Sequence, residues 1–258
     1  MDLSLFAQLG PGLLLASMAV ALAAGIIKGA VGFAMPLVMV SGLSSILSPQ
    51  LAIAGLILPV VASNALQTFR QGVGPAMREA RFMWRYLLVV GLFIVAAAQL
   101  VPLIAPRVFY ILLGVPVVIL SLIQLSGVRF TIPDARRRAS EWIIGALSGI
   151  LGGLAGTWGP TTVLYLIAID IPKARQMILQ GVIYGTGSVM LLLAHLQSGI
   201  FNAQTAPFSA TLLLPAFLGM AIGFRLQDRM DQERFRTVTL VVLTVAGVNL
   251  IRKGVMGG

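Results

Sequence analysis

The chain has 258 residues, of which 58% are hydrophobic and only 10% are charged, whereas soluble domains carry about 25% charged residues. This composition excludes a soluble globular protein, because a water-facing surface cannot be built from so few charges. The formal net charge of +10 does not indicate a nucleic-acid partner, since the basic residues lie in short stretches between apolar runs, and the lack of cysteine excludes disulfides and thiolate metal sites.

Ten apolar segments follow one another along the chain. They lie at about 11 to 34, 36 to 47, 50 to 69, 84 to 104, 107 to 127, 141 to 158, 160 to 169, 174 to 197, 207 to 226 and 235 to 252. Most are long enough to cross a bilayer core, which takes about 20 residues. The second and seventh segments reach only roughly 15 to 18 Å, about half of the core. The pattern predicts an all-α polytopic membrane protein with short broken or re-entrant half-helices.

Each short segment follows a glycine-rich stretch that ends in proline. Four residues of the two stretches match in frame at one constant offset of 124 residues. They are Gly25, Gly29, Gly32 and Pro36 in the first stretch, and Gly149, Gly153, Gly156 and Pro160 in the second. Matches in frame at one offset indicate an internal repeat. We therefore predict an N-terminal transmembrane repeat at 1–128, a basic cytoplasmic linker at 129–140 and a C-terminal transmembrane repeat at 141–258.

The basic residues predict the orientation of the chain. Three groups contain 12 of the 18: Arg70, Arg78, Arg81 and Arg85; Arg129, Arg136, Arg137 and Arg138; Arg225, Arg229, Arg234 and Arg236. The positive-inside rule places these groups in the cytoplasm. The connections at 103 to 107 and 198 to 207 carry only Arg107 and should lie outside. This alternation requires each half to cross the membrane an odd number of times, so the second half is inserted upside down relative to the first. The sequence therefore predicts inverted-topology repeats in the inner (cytoplasmic) membrane, with both termini external.

The two helix breaks are candidate binding sites. Inverted repeats with interrupted helices are typical of secondary transporters, whose sites lie near the midplane where the helices break. Backbone groups freed inside a membrane must be satisfied by protein, water or ligand. Pro36 and Pro160 would each open a half-helix whose N-terminal amides and dipole favour an anion. The alternative is that the earlier glycines of each motif simply allow close helix packing.

Lys28 favours an anionic substrate. A cation deep in an apolar segment costs about 2.5 to 3.5 kcal/mol on insertion scales and normally faces a cavity or a partner. No acidic residue lies in the same segment to neutralise Lys28, so the counter-charge would be the substrate. The alternative, with equal weight, is that Lys28 extends to the cytoplasmic surface. Its matching position in the second half is Gly152.

Polar residues on the long segments after the half-helices are further candidates to line a substrate path. Gln180, Tyr184 and Ser188 are four residues apart and share one helix face. The alternative for any one of them is interhelical hydrogen bonding without contact to substrate. The residues predicted to bind substrate are Lys28, Gly29, Gly32, Pro36, Asn64, Gln67, Gly153, Gly156, Thr157, Pro160, Thr161, Gln180 and Tyr184.

The paired glycine-rich motifs at 25 to 36 and 149 to 160, with Asn64 and the stretch from Gln67 to Gly72, resemble the TauE/SafE sulfite exporter family over nearly the whole chain. The resemblance implies about eight transmembrane helices in two repeated halves. It also implies transport, without ATP hydrolysis, of a small anion such as sulfite, sulfoacetate or another organosulfonate. Lys28 departs from the small residue that relatives often carry nearby, which puts the substrate preference in doubt.

Other function classes find little support in the sequence. Intramembrane catalysis would need a nucleophile with a base, or metal ligands, but the chain has one histidine and no cysteine. An ATP-driven pump would need a P-loop, and none is present. We therefore expect no enzyme activity and no cofactor. An anion channel and a non-transporting membrane assembly partner stay as alternatives, and a coupled proton or sodium ion and a homo-oligomer stay open.

Overall fold

The computed structural model describes residues 4–69, 72–127, 131–227, 229 and 232–256, and every regular element in these ranges is helical. The first half contains α1 (Ser4–Val31), α2 (Met35–Leu43), α3 (Pro49–Phe69), α4 (Val73–Phe82), α5 (Trp84–Leu100) and α6 (Pro106–Leu125). The second contains α7 (Arg137–Ala155), α8 (Gly159–Ala168), α9 (Lys173–Gln197), α10 (Ala206–Thr211), α11 (Leu213–Gln227) and α12 (Gln232–Met256), preceded by a 3₁₀ turn at Asp134–Arg136. The all-helical class predicted from the sequence is confirmed.

The helices of the two halves follow each other in the same order. The short helices α2 and α8 begin at Met35 and Gly159, and the long helices after them begin at Pro49 and Lys173. Both pairs of starts are 124 residues apart, as are the matched glycines. Arg70, one of the basic residues predicted to be cytoplasmic, lies outside the described residues, as do residues 129 and 130 of the predicted linker.

Among the described residues, five stretches of helix are long and apolar enough to cross a membrane: Leu9–Ala30, Pro49–Phe69, Pro106–Ile123, Ile178–Gln197 and Ala206–Leu226. A sixth is added if α4 and α5, which meet at an angle of 83°, form one span. Two further helices do not qualify alone: α5 has 17 residues, and α7 opens with charged residues, including Arg137, Arg138 and Glu141. The chain is a multi-pass membrane protein, and its described residues contain five to six candidate spans by length and composition.

Two parallel helix pairs bring the halves together through small residues. In the pair α1 and α11, Gly219 lies against Leu22 and Gly223 lies against Ile26, so the contacts advance along both helices in the same direction. In the pair α5 and α7, a methyl group at Gly153 would lie 2.9 Å from the Cβ atom of Ala97. Each pair contains one helix from each half, so the halves are intertwined.

Equivalent helices of the two halves also pack against each other, but in opposite directions. Between α6 and α12, Gly114 lies against Ile251, while Gly254, further along α12, lies against Ile111. The helices α3 and α9 likewise run antiparallel. Asn64 of α3 donates to the Tyr184 carbonyl, and Thr68, one turn later in α3, donates to the Gly181 carbonyl, which comes earlier in α9. The helices of these two matched pairs therefore run in opposite directions.

Candidate functional site

Both helix breaks begin at a left-handed glycine. The first residue after α1 is Gly32, with φ of 80°, and the first after α7 is Gly156, with φ of 69°. Both are left-handed, a conformation that favours glycine and ends helices. Each glycine N–H donates to the carbonyl four residues earlier, at 2.7 Å in the first break and 2.6 Å in the second. The predicted breaks therefore lie at the matched glycines.

The breaks of the two halves touch each other at the centre of the bundle. A methyl group at Gly156 would lie 3.1 Å from the Cβ atom of Pro36, and one at Gly159 would lie 2.8 Å from the Phe33 ring. A small pocket lies between them. It is lined by Lys28, Phe33, Ala34, Pro36, Leu37, Asn64, Gly156, Thr157, Trp158, Gly159, Pro160 and Tyr184. The pocket thus combines residues from both halves of the sequence.

Lys28 is the charged residue of this pocket, and only 4% of its surface is exposed. Its Nζ atom donates a hydrogen bond to the Oδ1 atom of Asn64, and the Asn64 Nδ2 atom donates to the Tyr184 carbonyl at 3.2 Å. Among the described residues, the ion pairs involve only the acids Glu79 and Glu141. Lys28 is therefore held by neutral groups, and its burial favours a side chain that faces the cavity over one that reaches the surface.

The sequence model of the family described as "Sulfite exporter TauE/SafE" matches residues 17–250. The chain belongs to the TauE/SafE sulfite exporter family. This confirms the resemblance seen in the glycine-rich motifs, and it makes the chain a membrane transporter of the sulfite exporter type. Searches of curated proteins and of solved structures returned no match.

Seven of the thirteen residues predicted to bind substrate line the pocket of this TauE/SafE protein. They are Lys28, Pro36, Asn64, Gly156, Thr157, Pro160 and Tyr184. Thr157 is distinctive because its hydroxyl is buried and has no hydrogen-bond partner in the part of the chain that the structure describes. Buried polar groups are normally paired, so this hydroxyl is available to a ligand. Tyr184 donates a long hydrogen bond of 3.5 Å to the Gly159 carbonyl.

The other six predicted residues do not line the pocket. Gly29 and Gly153 lie in the parallel helix contacts, as the packing alternative expected. Thr161 accepts a hydrogen bond from Ser148 and donates one to the Trp158 carbonyl, which places it just behind the pocket. Gly32 shapes the first break. Gln67 and Gln180 are half-buried on α3 and α9.

The set predicted from the sequence omits five of the residues that line the pocket: Phe33, Ala34, Leu37, Trp158 and Gly159. Trp158 is the largest of them. It is 2% exposed, and a methyl group at Gly152 would lie 2.6 Å from its ring. Gly152 is the repeat counterpart of Lys28, and Ala34 is the counterpart of Trp158. The first half thus has a long side chain before the break, Lys28, and a small one within it, Ala34. The second half has a small residue before the break, Gly152, and a large one within it, Trp158. Comparison of the halves at the 124-residue offset is the signal that indicates this role.

Proposed function

We propose that this TauE/SafE protein is a secondary transporter that moves a small anion, such as sulfite, sulfoacetate or another organosulfonate, across the cytoplasmic membrane. The anion binds in the pocket between the two helix breaks. The observation that carries the proposal is the position of Lys28, a buried cation at the pocket whose described partner, Asn64, is neutral. A buried charge without a counter-charge is costly, and a bound anion removes that cost.

The rest of the pocket suits an anion with several oxygen atoms. A lysine ammonium has three donors, and Lys28 uses one of them on Asn64. Thr157 adds a hydroxyl without a partner. The helices α2 and α8 both begin at the pocket, and helix N-termini favour negative charge. No carboxylate is among the lining residues to repel it.

The proposed architecture is a pair of inverted repeats with eight long helices, α1, α3, α5, α6, α7, α9, α11 with α10, and α12. In this topology α2 and α8 are re-entrant half-helices. The antiparallel packing of α3 with α9 and of α6 with α12 supports it, because inversion of one half reverses each helix relative to its counterpart. The proposed orientation has the termini outside and the arginine-rich connections in the cytoplasm.

The test is flux of radiolabelled methanesulfonate and sulfite in vesicles that contain the purified protein. Lys28→Met keeps most of the side-chain volume and removes the charge. A hydrogen bond to a charged group contributes about 1.5 to 3 kcal/mol, so we expect transport at low substrate concentration to fall by about 10- to 150-fold. The matched control is Lys253→Met. Lys253 is another partly buried lysine, and it donates to the Ser44 carbonyl after the far end of α2.

The control variant should transport at close to the wild-type rate. Unchanged flux in Lys28→Met, or an equal loss in both lysine variants, contradicts the proposed site. Saturable flux supports a carrier, whereas high conductance that does not saturate identifies an anion channel. Absence of flux for every anion tested would indicate the assembly-partner alternative. Imposed proton and sodium gradients in the same vesicles determine whether either ion is coupled.

A further inference from the structure

A chain of charged contacts joins four helices at the end of the bundle that holds the start of α7. Glu141 on α7 binds Arg85 of α5 at 2.7 Å and Arg137 of its own helix at 3.3 Å. Glu79 on α4 accepts hydrogen bonds at 3.0 Å on both carboxylate oxygens from Arg175 of α9. Both glutamates are buried, with 1% and 3% exposure. Each carboxylate therefore holds its own helix against another one.

The Phe82 ring connects the two ion-pair groups. The guanidinium of Arg137 lies 4.5 Å from the ring centroid, and that of Arg175 lies 4.0 Å from it. Cations within about 6 Å of an aromatic ring are attracted to it. We call the continuous set Arg85, Glu141, Arg137, Phe82, Arg175 and Glu79 the gate cluster. It links α4, α5, α7 and α9.

A layer of buried hydroxyl groups lies between the gate cluster and the pocket. The Tyr86 hydroxyl is 2.8 Å from that of Ser148 and 3.1 Å from that of Thr162, and Ser148 donates to Thr161 at 2.6 Å. Thr161 in turn binds the carbonyl of Trp158, which lines the pocket. Along α7, Ser148 lies between Glu141 and the break. Polar groups thus extend from the pocket toward the gate cluster.

The opposite end of the bundle is neutral at the equivalent positions. The repeat counterparts of Arg85 and Glu141 are Ser209 and Ser17, and the counterpart of Thr161 is Leu37. Ser209 bridges α10 to α3 by donating to the Gly55 carbonyl at 3.0 Å and accepting from the Leu58 N–H at 3.0 Å. The two ends therefore differ in their contacts: ion pairs of the gate cluster at one end and hydrogen bonds of Ser209 at the other. Of these two ends, only the end with the gate cluster has the hydroxyl layer between it and the pocket.

We propose that the gate cluster closes the pocket on its own side of the membrane and that Glu79 and Glu141 are the residues that hold it shut. The proposal rests on the proposed function, because it treats the pocket as the transport site. A carboxylate that loses its buried ion pair becomes an uncompensated charge. Opening of the gate therefore requires the carboxylates to become exposed to water. Their arginine partners are already partly exposed. The proposed orientation places this gate in the cytoplasm.

The test uses the lack of native cysteine in the chain. Thr157→Cys places one thiol in the pocket, and it sacrifices no hydrogen bond within the described part of the chain because the native hydroxyl has no partner there. A membrane-impermeant maleimide is added to either face of oriented vesicles. The gate variant adds Glu79→Gln and Glu141→Gln. The control adds Arg78→Gln and Arg81→Gln, which neutralise two exposed charges of α4 outside the cluster.

We expect the gate variant to label at least about tenfold faster from one face only, which corresponds to weakening the closed state by about 1.4 kcal/mol. The control should label as slowly as the parent. Exchange of partners, Glu79→Arg with Arg175→Glu, should keep labelling slow if it restores the ion pair. Unchanged labelling in the gate variant, or an equal increase from both faces, overturns the gate.

The vesicle face from which labelling becomes faster shows on which side of the membrane the gate lies. Faster labelling from either single face supports the gate. Retention of the parent's thermal unfolding midpoint in the gate variant shows that faster labelling is not the result of unfolding, and a collapse of that midpoint counts against a specific gate. Failure of the anion site is distinguishable from failure of the gate. If the proposed anion site is wrong and the gate is right, Lys28→Met transports normally while the gate variant still shows faster labelling from one face.

Discussion

The two helix breaks begin at the same backbone conformation, a left-handed glycine, and differ in their side chains. Both helices end at a left-handed glycine, and a short helix begins three residues later in each half. The first half places Lys28 before the break and Ala34 within it, whereas the second half places Gly152 and Trp158 at the same positions. The repeat therefore supplies the scaffold, and its departures from symmetry supply the chemistry.

The difference also explains why the charge is on one side only. The Trp158 ring lies over Gly152, so the second half has no room for a long side chain where the first half carries Lys28. In the first half Ala34 leaves that space free, and Lys28 reaches Asn64 on α3. The pocket consequently has one cationic wall and one aromatic wall. The proposed substrate would contact both walls if it is an anion with an apolar substituent, such as an alkyl sulfonate.

The largest effect that tests this comparison is expected for Gly152→Ala. The added methyl group would lie 2.6 Å from the Trp158 ring, and overpacking a core costs about 1 to 3 kcal/mol. The cost should disappear when the methyl group is added to a Trp158→Ala background, because the ring that it displaces is gone. Thermal unfolding midpoints of the single and double variants in detergent measure this coupling. Equal costs in both backgrounds would show that Trp158 does not depend on Gly152.

Gly156→Ala and Gly32→Ala compare the two breaks directly. Both residues have positive φ, so alanine is strained by about 1 to 2 kcal/mol at either position. At Gly156 the methyl group would also lie 3.1 Å from Pro36, whereas nothing lies within 4 Å at Gly32. We expect the lower unfolding midpoint for the Gly156 variant. A lower midpoint for the Gly32 variant would contradict the contact between the breaks.

Thr157→Val should have the smallest effect on stability and a clear effect on binding. The native hydroxyl is buried without a partner in the described structure, so its loss should leave the unfolding midpoint close to that of the wild type. A hydrogen bond to a charged group contributes about 1.5 to 3 kcal/mol, so the affinity for methanesulfonate should fall by about 10- to 150-fold. Calorimetric titration of both proteins measures it. Unchanged affinity would remove Thr157 from the site.

The breaks could be located from the sequence because glycine and proline act locally. The glycine after each long helix and the proline at each short helix are conformational signals that do not depend on distant contacts. The same reasoning could not separate Gly156, which lines the pocket, from Gly153, which packs against α5. That distinction depends on how closely α5 approaches, which is a property of the folded bundle.

The helix α4 and the gate cluster could not be predicted from the sequence, for a related reason. Residues 73 to 82 include Arg78, Glu79 and Arg81, so they have no continuous apolar run and the segment reads as a connection. It lies at 83° to α5, and its buried Glu79 pairs with Arg175, which is 96 residues away in the chain. Pairings over such distances leave no local pattern.

The central claim, that Lys28 gives the pocket its anion affinity, is tested most directly by ligand-induced stabilisation. A ligand that binds the folded state raises its stability by RT ln(1 + [L]/Kd). Methanesulfonate should raise the unfolding midpoint of the wild-type protein, and dimethyl sulfone, its uncharged analogue, should not. The methanesulfonate shift should be lost in Lys28→Met and retained in Lys253→Met. An equal shift in Lys28→Met and wild type would contradict the claim.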